Sequence, residues 1–246
     1  MNFKEKLKNI TQNYELNLNN TQIDLFEKYY NDLIETNKIH NLTTITEEND
    51  VIFKHFLDSI LPIELFKDNS KIIDIGCGAG FPSIPLKIIN NSLSITAIDS
   101  VGKKIDFVES EAKRLGISSN FTAIHTRIED LAKNTAFREQ FDFVISRALA
   151  KIRTNLEYSA PFLKQNGLII CYKGSNYLEE LSESENALKE LNCEVVDTKE
   201  YYISEIDAKR YIIIIKKVGK TPNKYPRSGN KPRLSPLWNI NIYKYS

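Results

Sequence analysis

The sequence predicts an α/β fold: a Rossmann-like sheet of seven strands, mostly parallel with an antiparallel last pair, behind a small N-terminal helical extension. Three observations predict it. From Lys71 onward, apolar runs of strand length alternate with helix-period segments, the pattern of a parallel sheet with crossover helices. The first run, Lys71-Ile-Ile-Asp-Ile75, leads into Gly76, Gly78 and Gly80 and then a proline, which reads as strand, glycine turn, helix. Late in the chain, Glu194 to Tyr202 and Arg210 to Lys217 are two extended runs placed to close the sheet as a hairpin.

Residues 1 to 66 are expected to be helical and to pack on the core. Phe3, Leu7 and Ile10 fall at helical spacing, and Thr21 is a candidate N-cap for a helix whose apolar face is Phe26, Tyr29, Tyr30, Leu33 and Ile34. His40 to Ile45 breaks the pattern, which resumes over Val51 to Leu61 and puts His55, Asp58 and Ser59 on one helical face. The sheet domain spans 67 to 217. Its first strand is β-branched at Ile72, Ile73 and Ile75, as suits burial on both faces, and Pro82 suits the first turn of the following helix. Further strands are expected at Ser94 to Ile98, Phe121 to His125, Phe141 to Ile145 and Gly167 to Tyr172, with helices over Gly102 to Leu115, Leu156 to Leu163 and Asn176 to Leu191. Residues 218 to 246 form a basic tail carrying Pro222, Pro226, Pro232 and Pro236, in which neither helix nor strand is expected.

Composition bounds the function. Hydrophobic residues make up 41% of the chain and charged ones 26%, enough for one substantial core. Cys77, Cys171 and Cys193 are scattered and lack C-x-x-C spacing, so no disulfide framework and no zinc site is indicated. No run reaches the roughly 20 apolar residues of a membrane span, and a cytoplasmic location without a membrane or metal partner is expected. The net charge of +1 hides an asymmetry: from Ala208 onward there are ten Lys/Arg and no Asp/Glu. Basic groups interleaved with Tyr225, Trp238, Tyr243 and Tyr245 suit single-stranded or looped RNA, and suit equally a tail that wraps its own domain.

The glycine loop is not the G-x-G-x-x-G of dinucleotide enzymes and has no Lys-Ser/Thr pair of the P-loop kind, which argues against a bound pyrophosphate. Asp99 ends the second strand, where a carboxylate can accept from both hydroxyls of a ribose. Asp74 before the glycines, glycines without a phosphate cradle, and Asp99 together suggest an adenosine carrying an amino acid, that is, S-adenosyl-L-methionine. Asp99, Ile128-Glu129, Arg147 and Lys173 all map to carboxyl ends of strands, where open sheets hold ligands. A seven-stranded sheet with an antiparallel last pair is the shape of class I S-adenosylmethionine-dependent methyltransferases.

Several strings agree beyond the glycine loop: Asn41-Leu-Thr43, Lys54-His-Phe-Leu-Asp-Ser59, Asp74 to Pro82, Asp99-Ser-Val-Gly-Lys-Lys104, Ser146-Arg-Ala148 and Lys173-Gly174. In this order they resemble the bacterial 16S rRNA (guanine-N7) methyltransferase G family, also called GidB, over roughly residues 20 to 230. The resemblance implies methyl transfer to a guanine N7 of 16S rRNA on the small ribosomal subunit or an assembly intermediate, and a monomer is expected. It implies that Gly76, Phe81, Ile128, Glu129 and Arg147 bind the cofactor, joined by Gly78, Gly80, Asp74 and Asp99. His55, Asp58, Arg147 and Lys173 are then expected to border the guanine and its phosphates. The sequence departs from the family pattern at Ser83, where glycine is usual, and at Leu149, where phenylalanine is usual. Other readings remain open: a nicotinamide-dependent oxidoreductase, disfavoured by the glycine spacing; a non-catalytic RNA-binding protein on the same fold; and a methyltransferase with a protein or small-molecule acceptor.

Overall fold

A computed structural model describes residues 1–237. Trp238, Tyr243 and Tyr245 lie outside the described residues. Seven strands form a single sheet: β1 Lys71–Ile75, β2 Ser94–Asp99, β3 Phe121–His125, β4 Phe141–Arg147, β5 Leu163–Lys173, β6 Cys193–Ile203 and β7 Ala208–Lys217. Their order is β3-β2-β1-β4-β5-β7-β6. β1 to β5 run parallel, and β7 pairs antiparallel with both β5 and β6. Strand order reverses between β1 and β4, so the crevice at their carboxyl ends is where a ligand is expected. Ile72 faces one side of the sheet and Ile73 and Ile75 the other, each fully buried.

The N-terminal helices cover one face. The helix Asn20–His40 starts two residues before the position expected from Thr21. Asn19 is the true cap, because its side chain accepts from Gln22 N while the Gln22 side chain accepts from Asn19 N, both at 2.9 Å. Asn41 ends the helix in a left-handed conformation. The segment expected as one helix over Val51 to Leu61 is α-helical at Glu48–Val51, π-helical at Ile52–Leu57 and α-helical again at Asp58–Ile60. Apolar periodicity cannot distinguish these windings, and π turns concentrate at functional sites.

The tail also differs from expectation. Residues 218–237 wrap the sheet domain and include a one-turn helix, Lys231–Leu234, in which Pro232 sits in the first turn, where a missing N–H is harmless. The wrap is anchored through buried polar groups. Arg227 donates from both Nε and Nη2 to the carboxylate of Glu157, which is fully buried on the helix Ile152–Ser159. Thr221 Oγ1 donates to Ala160 O, and Thr154 Oγ1 to Pro232 O, each at 3.1 Å. Arg138 donates to the carbonyls of Thr221, Pro222 and Tyr225. Tyr225 is itself buried, its hydroxyl donating to Glu190. For Tyr225 and Arg227, the wrapping role is the one observed.

Candidate active site

The glycine loop follows β1 with all three glycines at positive φ, +75°, +58° and +98° for Gly76, Gly78 and Gly80, backbone that an L side chain adopts at a cost. A Cβ on Gly76 would stand 2.7 Å from Leu149 Cδ1, so the residue that departs from the family pattern lies directly against the loop. Asp99 is pinned at the loop's other side: Oδ2 accepts from Gly78 N at 3.0 Å and Oδ1 from Val101 N at 2.9 Å. Each oxygen keeps acceptor capacity toward the cavity that Asp99 lines. Helix Ser83–Ile89 starts one residue beyond Pro82.

Asp74 lies beneath the loop and is completely buried. Oδ2 accepts from Ser83 N at 3.3 Å, whereas Oδ1 and the Ser83 hydroxyl have no hydrogen-bond partner. Burial pushes the carboxyl up to about 7, against the opposing pull of Ser83 and the Arg147 charge. A folded-state value above the ordinary 3.8 means that the folded protein holds the proton more tightly. Its contribution to stability is therefore full below about pH 4 and is lost as pH rises toward 7. Asp74→Asn keeps the shape without the charge. It is expected to melt above the wild type at pH 8, the advantage shrinking toward pH 4 by up to about 1.4 kcal/mol per pH unit. Melting temperatures of both proteins across this range test it; a constant difference would show that Asp74 carries its charge throughout.

Arg147 ends β4 and organises the opposite wall. Nη1 donates to Lys54 O at 2.8 Å and Asp58 Oδ2 at 3.0 Å, and Nη2 donates to His55 Nδ1 at 2.9 Å. Asp58 Oδ1 meets Arg210 Nε at 3.3 Å, so this carboxylate, 9% exposed, is shared by two guanidinium groups. The His55 ring stacks on Phe81 with centroids 4.2 Å apart, and the guanidinium carbon of Arg147 lies 5.2 Å from the centre of the Phe81 ring. Burial, and then the Arg147 charge, lower His55 to about 3. The imidazole is neutral at pH 7; with Nδ1 accepting from Arg147, Nε2 carries the proton and donates to Thr43 Oγ1 at 2.9 Å. The other face of this aromatic group is Tyr29, whose ring lies 5.2 Å from Phe81 and whose hydroxyl donates to Ala79 O at 2.6 Å. The N-terminal helices thus form part of the site itself.

Two cavities meet here. The larger, about 590 Å³, is lined by the glycine loop, Phe81, Asp99, Ile128, Glu129 and Arg147. The second, about 410 Å³, is lined by Asp58, Tyr172, Lys173, Glu180 and Arg210. Arg147, Ala148 and Leu149 line both, and Ala148 there holds φ +53°, a strained conformation of the kind found at functional sites. Of the expected cofactor residues, Gly76, Gly78, Phe81, Asp99, Ile128, Glu129 and Arg147 line the first cavity, whereas Asp74 and Gly80 do not. Of those expected at the guanine, Asp58 and Lys173 line the second, and His55 lines the first. Lys173 is already engaged, donating to Glu180 Oε2 and Ala150 O at 2.7 Å each. Sequence reasoning did not single out Thr43, Arg210, Asn230 or Arg233 as site residues. Thr43 sat within a string quoted for other reasons, and the other three come from segments brought here only by the hairpin and the wrap. Among the described residues no cluster of three or more His, Cys, Asp or Glu could hold a metal ion, and no helix is long and apolar enough to cross a membrane.

The large cavity is within the range of about 300–1,000 Å³ usual for small-molecule sites, and its polar lining suits an adenosyl amino acid. Asp99 has free acceptor capacity beside backbone that glycine keeps open: a Cβ on Gly78 would meet nothing within 4 Å.

The family model described as GidB, rRNA small subunit methyltransferase G, matches residues 22–210. A ribosomal RNA small subunit methyltransferase G of Thermoanaerobacter sp. (strain X514) is 45% identical over 87% of this chain and 90% of its own. Its namesake in Alkaliphilus oremlandii is 39% identical over 96% of this chain and 100% of its own. Among solved structures, a SAM-dependent methyltransferase from Aquifex aeolicus superposes with a TM-score of 0.54 at 14% identity, over 73% of this chain and 98% of that one. The cyclase SpnF superposes at 0.50 with 14% identity, over 65% of this chain and 80% of that one. These two likenesses speak for the fold alone.

Proposed function

The chain belongs to the rRNA small subunit methyltransferase G family, and from that premise we propose that it transfers the methyl group of S-adenosylmethionine to N7 of a guanine in 16S rRNA. The observation that carries this reading is the pair of cavities joined at Arg147-Ala148-Leu149. The cofactor occupies the first, and the target base enters the second from the mouth lined by Lys173, Gly174 and Arg210. When bound, the cofactor supplies an electrophilic methyl on a sulfonium. Asp99 holds the ribose hydroxyls, the glycine loop lets the backbone approach, and Phe81 and Arg147 set the wall past which the methyl must point.

The pairing of the polar groups at the junction supports an acceptor that needs no base. His55 is neutral but has its free nitrogen occupied by Arg147, Asp58 is held between two arginines, and Lys173 is paired with Glu180. Guanine N7 has an available lone pair at neutral pH and loses no proton when it attacks, so orientation supplies the acceleration. An arginine gripping O6 and N7 together would cover the nucleophile; Arg147 already commits Nη1 to Lys54 O and Asp58 and one Nη2 hydrogen to His55 Nδ1, which holds its guanidinium against the protein wall. The chain acts as a monomer in the cytoplasm on the small subunit or its assembly intermediate.

Labelled S-adenosylmethionine and small subunits lacking this modification test the reading. Label at one guanine N7 is expected; label on protein or a small molecule instead would move the acceptor elsewhere. Asp99→Ala is expected to weaken S-adenosylhomocysteine binding by tenfold or more, on the order of 1.5–3 kcal/mol for charge-assisted hydrogen bonds lost, and unchanged affinity by calorimetry would remove Asp99 from the ribose.

A further inference from the structure

We propose that the C-terminal wrap is a working wall of the cofactor site, with Arg233 contacting the adenine of the bound cofactor. This rests on the reading of the large cavity as an S-adenosylmethionine site. Asn230 and Arg233 line that cavity along with Ile128, Glu129 and Tyr158. Tyr158 is buried on helix Ile152–Ser159, and Arg233 and Glu129 both act electrostatically on its hydroxyl. Ile128 and Glu129 follow the carboxyl end of β3, and none of these five residues lines the second cavity, which meets the first at Arg147, where the reacting methyl must lie.

The position of Arg233 is fixed rather than incidental. Pro232 is buried, its carbonyl accepts from Thr154 Oγ1, and five residues earlier Arg227 pairs with the buried Glu157. Thr154, Glu157 and Tyr158 belong to the same helix, so one helix both anchors the wrap and supplies the buried wall that Arg233 faces. The wrap turns its basic side chain over the cavity mouth while Pro226 and Pro232 are buried.

An exposed guanidinium at such a rim suits a flat, uncharged, π-rich partner. Adenine is that part of the cofactor. A contact to the sulfonium or ammonium would be repulsive, and the cofactor carboxylate belongs with the amino acid end. The contact is therefore shared by every ligand that contains the adenosine, charged or not.

Calorimetry of Arg233→Ala with two probes, S-adenosylhomocysteine and 5′-methylthioadenosine, tests the proposal. Arg233 is exposed, so the variant is expected to melt with the wild type. A loss of affinity of about fivefold is expected for both probes, the size of a partly exposed cation–π contact. Failure of the wild type to bind either probe would overturn the cofactor reading itself. Wild-type binding with variant affinities within twofold for both probes would overturn only the assignment of Arg233. A loss confined to S-adenosylhomocysteine would also overturn it, by placing the arginine at the amino acid end. A variant that binds both probes normally but shows a flatter salt dependence of RNA binding would overturn it in favour of a phosphate contact.

Discussion

Gly80→Ala is expected to destabilise the protein by about 3 kcal/mol or more, combining roughly 1–2 kcal/mol for an L residue in left-handed backbone with about 1–3 kcal/mol for overpacking. A Cβ at Gly80 would lie 2.5 Å from Ile84 Cδ1, 2.9 Å from Ile84 Cγ1 and 3.0 Å from the Tyr29 hydroxyl. Neither neighbour can retreat. Both are fully buried, and the Tyr29 hydroxyl is tied to Ala79 O. Displacing Tyr29 would also shift Phe81 and the wall it shares with His55, so cofactor affinity should fall with stability. Gly78→Ala is the internal control, since its φ is also positive but its Cβ would meet open space; it should cost only about 1–2 kcal/mol. Urea melts of the two variants decide the matter, and equal losses would show that backbone strain alone governs the loop.

Arg147→Met should abolish the organisation of the junction. Two π-helix carbonyls, an imidazole nitrogen and the Asp58 carboxylate lose their donor together. Removing one partner of a buried pair costs about 3–5 kcal/mol, and because Arg210 still faces Asp58 the lower part of that range is expected. Methyl transfer should fall at least about 100-fold, since misplacement of roughly 1 Å suffices for that. A second readout separates this from simple unfolding. The Arg147 charge is, after burial, the main cause lowering His55, so the imidazole should titrate at higher pH in the folded variant, by NMR. An unmoved His55 would mean that the guanidinium does not govern the ring. Arg147→Lys keeps a charge but has no fork to span these acceptors, and should restore stability more than activity.

The sheet was legible because each of its signals is local. Ile72, Ile73 and Ile75 announce a strand buried on both faces, and positive-φ glycines follow directly. The place of Asp99 on the cavity wall was legible for the same reason, since it ends the second strand beside the glycine loop. The winding of residues 52 to 57 was not, because α- and π-helices present nearly the same apolar stripe over one turn. That single change places the carbonyls of Lys54 and His55 within reach of Arg147. Thr21 misled as a cap because Asn19 and Gln22 satisfy each other reciprocally, a pairing visible in sequence but no stronger there than its competitor. The wrap was illegible as a wall because its prolines argue against helix and strand without saying where the segment packs, which is set by distant partners: Glu157, which accepts from Arg227, and Thr154, which donates to Pro232 O. Lys173 illustrates the opposite error: its position was read correctly, but its partner Glu180 could be known only after the chain turned back.

The pairing of Arg227 with Glu157 also sets an order on biosynthesis. Glu157 lies in the middle of the chain, and a fully buried carboxylate without its cation is strongly unfavourable. A nascent chain made only as far as β7 would have all seven strands of its sheet, yet would leave this charge unpaired and the cavity open on the side of Tyr158. The last step toward a complete site therefore waits until translation has passed Pro232, and premature termination within the wrap should yield chains that quality control can distinguish from finished ones.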